Sequence, residues 1–215
     1  MDNQHKIRKI HPFNPQPDII AEAAKLIKKG GLAAFPTRCL YGMGTDAFNA
    51  DAVDRIFGIK QRSYQNPILV LISKKEDLDR IVQHVPPAAL KIMDKFWPGK
   101  VTIVFEAKNS LPDVLTAGTG KIGVRLCGHP VASALVSAVK NPVTGTSANL
   151  AGNAGCSRIS DMDSQLADRL DLILDAGILK GGAGSTVADV TTDIPVILRE
   201  GVVPGKDIFA VLENK

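Results

Sequence analysis

Two cations close together are the first residues in this sequence whose spacing suggests chemistry. Lys60 and Arg62 stand at the end of a helical pattern, and Asn66 follows just before an apolar strand. Arginine offers a bidentate fork to oxyanions and lysine a movable point charge, a combination that suits a triphosphate losing pyrophosphate. Capping of the helix end explains the same two residues equally well. Both interpretations stay open on these residues alone.

Three further segments combine polar groups with small residues. The segment PTRCLYGMG at 36–44 has a proline turn, a hydroxyl on Thr37 and paired glycines, which either form a bare turn or let the backbone approach a ligand. In KIGVRL at 121–126, Lys121 and Arg125 flank apolar residues, and Arg125 suits a carboxylate. The run GTSANLAGNAGCS at 145–157 offers hydroxyls and amides to an amino acid and a nucleotide. Together with Lys60 and Arg62, these segments form the candidate ligand site.

The sequence does not match three generic motifs for nucleotide binding or catalysis. A P-loop at TAGTGKIG is excluded because Ile122 stands where Ser or Thr must hold magnesium. The glycines at 42–47 do not form a dinucleotide-binding fingerprint, because PTRCLY separates them from the preceding strand. GTSAN departs from a nucleophile elbow because Asn149 replaces the final glycine, so no serine nucleophile is predicted.

Hydrophobic periodicity predicts the elements that must position these residues. Helices are predicted at 18–29, 50–60, 74–83, 88–96, 131–140 and 207–212, and strands at 32–36, 68–73, 101–107, 121–126, 171–176, 185–190 and 195–200. The segment 37–49 is predicted as a loop. This alternation predicts an α/β fold with a single twisted mixed sheet flanked by helices.

The chain shows no internal linker. We therefore predict one domain over 14–215, with 1–13 as an N-terminal tail or edge element. No apolar run approaches the roughly 20 residues that cross a bilayer, and the N-terminus lacks a secretory signal. These features predict a cytoplasmic protein without membrane contact.

Composition excludes several kinds of site. Three widely spaced cysteines and four scattered histidines give no disulfide framework and no metal-ligand pattern, so no metal-binding protein residue is predicted. The net charge of +4 favours acidic ligands. Because aromatic residues are only 5% of the chain, a platform for stacking unpaired bases is not expected, and a nucleotide is the favoured ligand.

Taken in order, these segments resemble the YrdC-like family from about Gly31 to Gly205. PTRCLYGMG resembles the family's PTETVYGLG, KQR followed by NP resembles its KGRP and NPL block, and FWPGKVTIVF, GVRL, TSANLAG, STVADV and ILREG recur. The resemblance implies a deep basic cavity and L-threonylcarbamoyladenylate synthase activity. Such a nucleotidyltransferase uses L-threonine, bicarbonate and ATP, with Mg²⁺, to make threonylcarbamoyl-AMP and pyrophosphate for N6-threonylcarbamoyladenosine in tRNA.

The resemblance also implies roles for individual residues. Lys60 and Arg62 would lie nearest the phosphates as catalytic residues. The residues expected to contact ATP are Lys60, Arg62, Asn66, Lys121, Asn149, Ser157 and Arg199. Those expected to contact threonine are Thr37, Cys39, Arg125, Ser147 and Ser185. The chain departs from the family where Arg38 and Cys39 replace an acidic residue and a small Thr or Ala.

Two alternatives stay open beside this interpretation. One is a protein of the YciO branch, whose activity differs, although TSAN at 146–149 favours the synthase branch. The other is a YrdC-like protein that binds RNA, since a basic cavity attracts the phosphates of tRNA or double-stranded RNA as well as those of ATP. For a synthase, the expected downstream partner is the machinery that transfers threonylcarbamoyl to tRNA.

Overall fold

The computed structural model describes residues 3–213; residues 1 and 2 of the predicted tail and residues 214 and 215 of the predicted domain lie outside it. The α-helices of the described chain are α1 (Pro17–Lys28), α2 (Ala50–Lys60), α3 (Pro87–Phe96), α4 (Asp113–Thr116), α5 (Pro130–Val139), α6 (Ser164–Arg169) and α7 (Gly205–Glu213). Its strands are β1 (Ile7–Lys9), β2 (Ala33–Pro36), β3 (Tyr41–Gly44), β4 (Val70–Ile72), β5 (Val101–Glu106), β6 (Lys121–Leu126), β7 (Val143–Thr144), β8 (Thr146–Ser147), β9 (Leu172–Asp175), β10 (Thr186–Asp189) and β11 (Val196–Arg199).

The strands form two sheets, where the sequence predicted one. The five-stranded sheet has the order β1-β9-β2-β3-β8, and the six-stranded sheet has the order β11-β10-β5-β6-β4-β7. Both sheets are mixed, as predicted: β2 pairs parallel with β9 and antiparallel with β3, while β5 pairs parallel with β10 and antiparallel with β6. Where the sheets meet, the Thr144 amide donates to the Thr45 carbonyl at 2.9 Å.

The long helices confirm the predictions from periodicity because their ends carry the expected signals. Helix α1 has Pro17 in its first turn, and Gly30 follows its end with a φ of +83°. Helix α2 begins after Asn49, whose side chain accepts the Ala52 amide at 3.0 Å. Capping of this kind fixes helix ends from local sequence alone.

Two predicted segments differ in the structure. The predicted loop at 37–49 contains β3, which pairs along its whole length with β2. The predicted helix at 74–83 is a 3-10 helix at Lys75–Arg80, because Val82 leaves it to bridge to Ala107 beside β5. The short elements β1, β7, β8, α4 and α6 had no periodic signal long enough to be predicted.

Two apolar clusters support this arrangement. The larger cluster joins the interiors of the two sheets through side chains such as Met43, Phe57 and Phe105. The smaller cluster lies under α1 and α5, which pack on each other, and includes Ile27, Phe35 and Leu135. At the edge of the five-stranded sheet, β1 pairs parallel with β9. Among residues 3–213, no helix combines the length and apolar character needed to cross a bilayer.

Candidate functional site

A cavity of about 850 Å³ opens between the two sheets. Its size lies within the range of roughly 300–1,000 Å³ that is usual for ligand pockets. The basic side chains lining it are Arg38, Arg62, Lys121, Arg125 and Arg199, and the acidic ones are Asp189 and Glu200. Basic groups therefore outnumber acidic groups on its wall, which favours an anionic ligand.

The turn between β2 and β3 forms one wall of the cavity. The Thr37 hydroxyl donates to the Leu40 carbonyl at 2.6 Å, so its lone pairs remain for a donor group on a ligand. Gly42 lines the cavity, and a Cβ there would meet Thr37 Cγ2 at 2.9 Å. At Gly44 the close approach is to the protein itself, since a Cβ would stand 1.9 Å from the Thr144 carbonyl oxygen. Only the first of the paired glycines therefore faces a ligand.

Lys60 ends α2 as a fully buried ammonium group. Its Nζ donates to the carbonyl oxygens of Ser147 and Asn149, at 2.6 and 2.5 Å, and approaches Asn149 Oδ1 at 3.4 Å. Burial and the neighbouring charge of Arg62 lower the pKa of Lys60 to about 8. We call this group, Lys60 with the carbonyls of Ser147 and Asn149, the Lys60 tie. It fastens the 147–151 loop to the end of α2.

Arg62 is held over the cavity by its own loop. Gln61 adopts the left-handed conformation that ends α2, and Arg62 then folds back so that Nε donates to the Asn66 carbonyl at 3.1 Å and Nη2 to the Pro67 carbonyl at 2.9 Å. Burial and the nearby charge of Arg199 lower the pKa of the Arg62 guanidinium. The side chain is thus fixed in place before any ligand binds, which lowers the entropic cost of binding one.

Ser185 joins two arginines from different strands. Arg125 Nη1, on β6, donates to Ser185 Oγ at 2.9 Å, and Arg199 Nη2, on β11, donates to the Ser185 carbonyl at 2.8 Å and to Oγ at 3.4 Å. The hydroxyl also lies 2.8 Å from Thr102 Oγ1. Both lone pairs of the Ser185 hydroxyl accept from arginines, so the hydroxyl donates its proton to Thr102. Ser185 therefore has no hydrogen-bonding capacity left, and it positions the two arginines.

Lys121, on β6, is paired with an acidic residue of β10, which lies on the other side of β5. Its Nζ lies 3.0 Å from Asp189 Oδ2, and both residues line the cavity. Burial alone would raise the pKa of Asp189, but hydrogen bonds from Thr191 and Lys121 hold it below its ordinary value. The charged form of Asp189 is therefore favoured, opposite Lys121 Nζ at the cavity wall.

Most of the residues predicted from sequence meet in this cavity. Those that line it are Thr37, Cys39, Arg62, Asn66, Lys121, Arg125, Ser147, Ser185 and Arg199. Lys60, Asn149 and Ser157 are not among the lining residues: Lys60 and Asn149 bond to each other, and the Ser157 carbonyl accepts the Leu179 amide at 2.8 Å. The roles assigned to individual residues stay predictions.

Sequence reasoning missed several polar residues of the wall as site residues, among them Thr102, Asp189 and Arg38. Thr102 is buried and bonds to Ser185, Asp189 pairs with Lys121, and Arg38 was noted only as a departure from the family's motif. A threonine inside an apolar strand and an aspartate ending another gave no local signal of function. The charge of Arg38, in a segment already predicted to bind ligand, was the one usable signal.

The comparisons with known proteins agree on one family. The Sua5/YciO/YrdC family model, described as "Telomere recombination", matches residues 25–201. The chain is 34% identical over 190 residues to threonylcarbamoyl-AMP synthase of Pyrococcus abyssi and 36% identical over 194 residues to that of Bacillus subtilis. These alignments cover 88% and 90% of this chain but 56% of each relative, so the chain spans little more than half their length.

Solved structures agree with this comparison. P. abyssi Sua5 complexed with L-threonine superposes with a TM-score of 0.89 at 32% identity, covering 96% of this chain and 61% of that one. Escherichia coli YciO superposes with a TM-score of 0.85 at 29% identity, covering 94% of this chain and 98% of that one. The predicted fold class, an α/β structure of twisted mixed sheet with flanking helices, is confirmed.

Proposed function

The chain belongs to the Sua5/YciO/YrdC family, and from that premise we propose that it is an L-threonylcarbamoyladenylate synthase. One observation carries the proposal. The Ser185 hydroxyl accepts from Arg125, the residue assigned to threonine, and from Arg199, a residue assigned to ATP, at 2.9 and 3.4 Å. One hydroxyl therefore holds Arg125 and Arg199 side by side. The threonine and the ATP assigned to them would then lie next to each other, as their reaction requires.

In the proposed reaction, the amine of threonine bonds to the carbon of bicarbonate with loss of water, giving an N-carboxylate. One oxygen of that carboxylate attacks the α-phosphorus of ATP, the bond from the α-phosphorus to the bridging oxygen breaks, and pyrophosphate leaves. Because the attacking group is already an anion, the step needs alignment and charge neutralisation more than a strong base. The shortage of acidic groups on the cavity wall suits that need.

We assign the phosphates to Arg62, Arg199 and Lys121, which carry positive charge at the cavity wall. Arg62 and Arg199 present planar forks to oxyanions, and Lys121 presents a point charge. Residues 3–213 contain no group of three or more His, Cys, Asp or Glu side chains placed to hold a metal ion. We therefore propose that Mg²⁺ is bound through the nucleotide phosphates, where it would neutralise part of their charge.

The product implies a partner and a location. A mixed anhydride between a carbamic acid and AMP is an activated acyl group, so a second enzyme must transfer it to tRNA before water does. We propose the tRNA threonylcarbamoyl-transfer machinery as that recipient and the cytoplasm as the location.

A single assay tests the function. Purified protein is incubated with ATP and Mg²⁺, with L-threonine and bicarbonate each supplied or omitted in CO₂-depleted buffer, and pyrophosphate and product mass are measured. We expect pyrophosphate release that requires both co-substrates, together with the mass of threonylcarbamoyl-AMP. Release that is absent or independent of threonine would contradict the proposal. RNA affinity that falls steeply with salt, without turnover, would favour the RNA-binding alternative.

A further inference from the structure

Arg38 is a charged residue of the cavity wall that neither the fold nor the proposed reaction yet explains. It lies in the turn between β2 and β3, next to Thr37, and lines the same cavity as Arg125. Its Nη2 atom is closed off from solvent and has no hydrogen-bond partner among the described residues. A buried N–H pair without an acceptor is unfavourable until a ligand supplies one.

The stem of Arg38 is confined by a neighbouring turn. A Cβ at Gly99 would stand 3.3 Å from Arg38 Cδ and 2.9 Å from the Gly128 Cα, and Gly99 has a φ of +82°. A side chain at position 99 would be strained at that φ and would press on the arginine stem. The Arg38 stem thus packs beside Gly99, and the side chain lies at the cavity wall.

Arg38, Arg62, Arg125 and Arg199 all line the cavity, and we call these four side chains the arginine row. Arg125 and Arg199 adjoin at the Ser185 hydroxyl, to which both donate. Burial, and then the charges of Arg199 and Arg38, lower the pKa of Arg125 to about 10. An anionic group bound at Arg125 would offset this repulsion.

The two acidic residues of the wall have partners other than Arg38. Asp189 is paired with Lys121 at 3.0 Å, and the Glu200 carboxylate accepts the Gly205 amide at 3.0 and 3.2 Å. Neither of these carboxylates forms an ion pair with Arg38. The missing acceptor for Arg38 is therefore expected to come from the ligand.

We propose that Arg38 binds the α-carboxylate of the amino-acid substrate together with Arg125, so that two guanidinium groups hold it from two sides. A carboxylate has about four lone-pair sites, more than one guanidinium fills. Arg125 also uses Nη1 to donate to Ser185, so a second guanidinium can bind the same carboxylate. The N-carboxylate formed from bicarbonate must reach the α-phosphate of ATP, and with Arg62 and Arg199 assigned to the phosphates, Arg38 is left for the α-carboxylate. The inference rests on the proposed function and adds a specificity-determining residue to it.

The experiment compares Arg38→Gln with the wild type on two ligands. Affinities for L-threonine and for L-threoninamide, in which an uncharged amide replaces the α-carboxylate, are measured by calorimetry or by competition. For Arg38→Gln we expect threonine affinity to fall roughly 10- to 100-fold, as for loss of a charge-assisted bidentate contact. Threoninamide and ATP affinities should change by less than about threefold, within the scatter of such contacts. Arg169→Gln, which removes an exposed charge on α6, serves as the matched control.

Two outcomes would overturn the inference. One is unchanged threonine affinity in Arg38→Gln, and the other is an equal loss for threonine and threoninamide, which would indicate a merely structural role. If Arg38→Gln does not fold, Arg38→Lys takes its place, because it keeps the charge but loses the fork; an equal effect on both ligands would again overturn the proposal.

The two proposals fail in different ways. If the wild type releases no threonine-dependent pyrophosphate and does not bind threonine, the proposed function is wrong and the role of Arg38 is wrong with it. If the wild type turns over normally and Arg38→Gln has the wild-type KM for threonine, the role of Arg38 alone is wrong.

Discussion

The Lys60 tie and the arginine row hold buried positive charge in opposite ways. In the tie, one ammonium group faces three oxygen acceptors of the protein, at 2.5, 2.6 and 3.4 Å. An ammonium group has three N–H donors, so this environment consumes its whole capacity. The ammonium group therefore binds the 147–151 loop to the end of α2.

The arginine row has donors left over. Each guanidinium has five N–H donors, whereas Arg125 makes one side-chain hydrogen bond, to Ser185, and Arg38 Nη2 has no acceptor among the described residues. The contrast indicates which cations serve the fold and which serve a ligand. A cation whose donors are used by backbone carbonyls fastens the structure, and one with donors left at a cavity wall can bind an anion.

The largest effect is expected from removing the Lys60 tie. Lys60→Met leaves the carbonyls of Ser147 and Asn149 without their donor, and each unsatisfied buried acceptor costs about 1–3 kcal/mol. We therefore expect the free energy of unfolding to fall by about 3 kcal/mol, measured by urea denaturation. Lys25→Met, at an exposed position of α1, is the control and should change little. A more stable Lys60→Met variant would show that burial of the ammonium group costs more than its hydrogen bonds return.

The second-largest effect is expected from removing the Arg125 side chain of the arginine row. Arg125→Ala removes the fork assigned to the threonine carboxylate, so threonine affinity should fall about 100-fold, or about 2.7 kcal/mol, while ATP affinity changes less than about threefold. Calorimetry with each ligand separately measures both values. Arg169→Ala is the matched surface control. An unchanged threonine affinity, or an equal loss for ATP, would show that Arg125 does not belong to an amino-acid subsite.

The position of Arg125 at the cavity was easier to predict from the sequence than the Lys60 tie, for physical reasons. Arg125 lies in the apolar strand β6, where a charge has few roles other than binding, and that anomaly is visible locally. Lys60 looked like a phosphate ligand because it precedes Arg62 at a helix end. The carbonyls that occupy it come from residues 87 and 89 positions later in the chain, and no local pattern reports such a contact.

The same distinction applies to the fold. Helix α2 was predicted at its observed limits because its apolar periodicity is a local signal. The division into two sheets was not predicted, because it depends on contacts such as Thr45 with Thr144, far apart in sequence. Glycine at position 44 could be attributed to a ligand until the structure showed the Thr144 carbonyl beside it.

The effect that is smallest per step, at most about 1.4 kcal/mol for each pH unit, concerns the charge of the Lys60 tie as pH changes. Burial lowers the pKa of folded Lys60 from 10.5 to about 8, while the unfolded chain keeps the ordinary value. Between these two pH values the unfolded state carries more protons than the folded state. Stability contributed by Lys60 must therefore rise with pH in that window, by at most about 1.4 kcal/mol per pH unit.

Comparison with Lys60→Met isolates this contribution, because every other titrating group is common to both proteins. Urea denaturation at pH 7, 8, 9 and 10 should show the stability of the wild type increasing relative to the variant above pH 8, with little change below it. The three oxygen acceptors act in the opposite direction, since they favour the ammonium form. If the wild type instead loses stability relative to the variant as pH rises, those hydrogen bonds outweigh burial, and the tie holds its proton more firmly than the unfolded chain does.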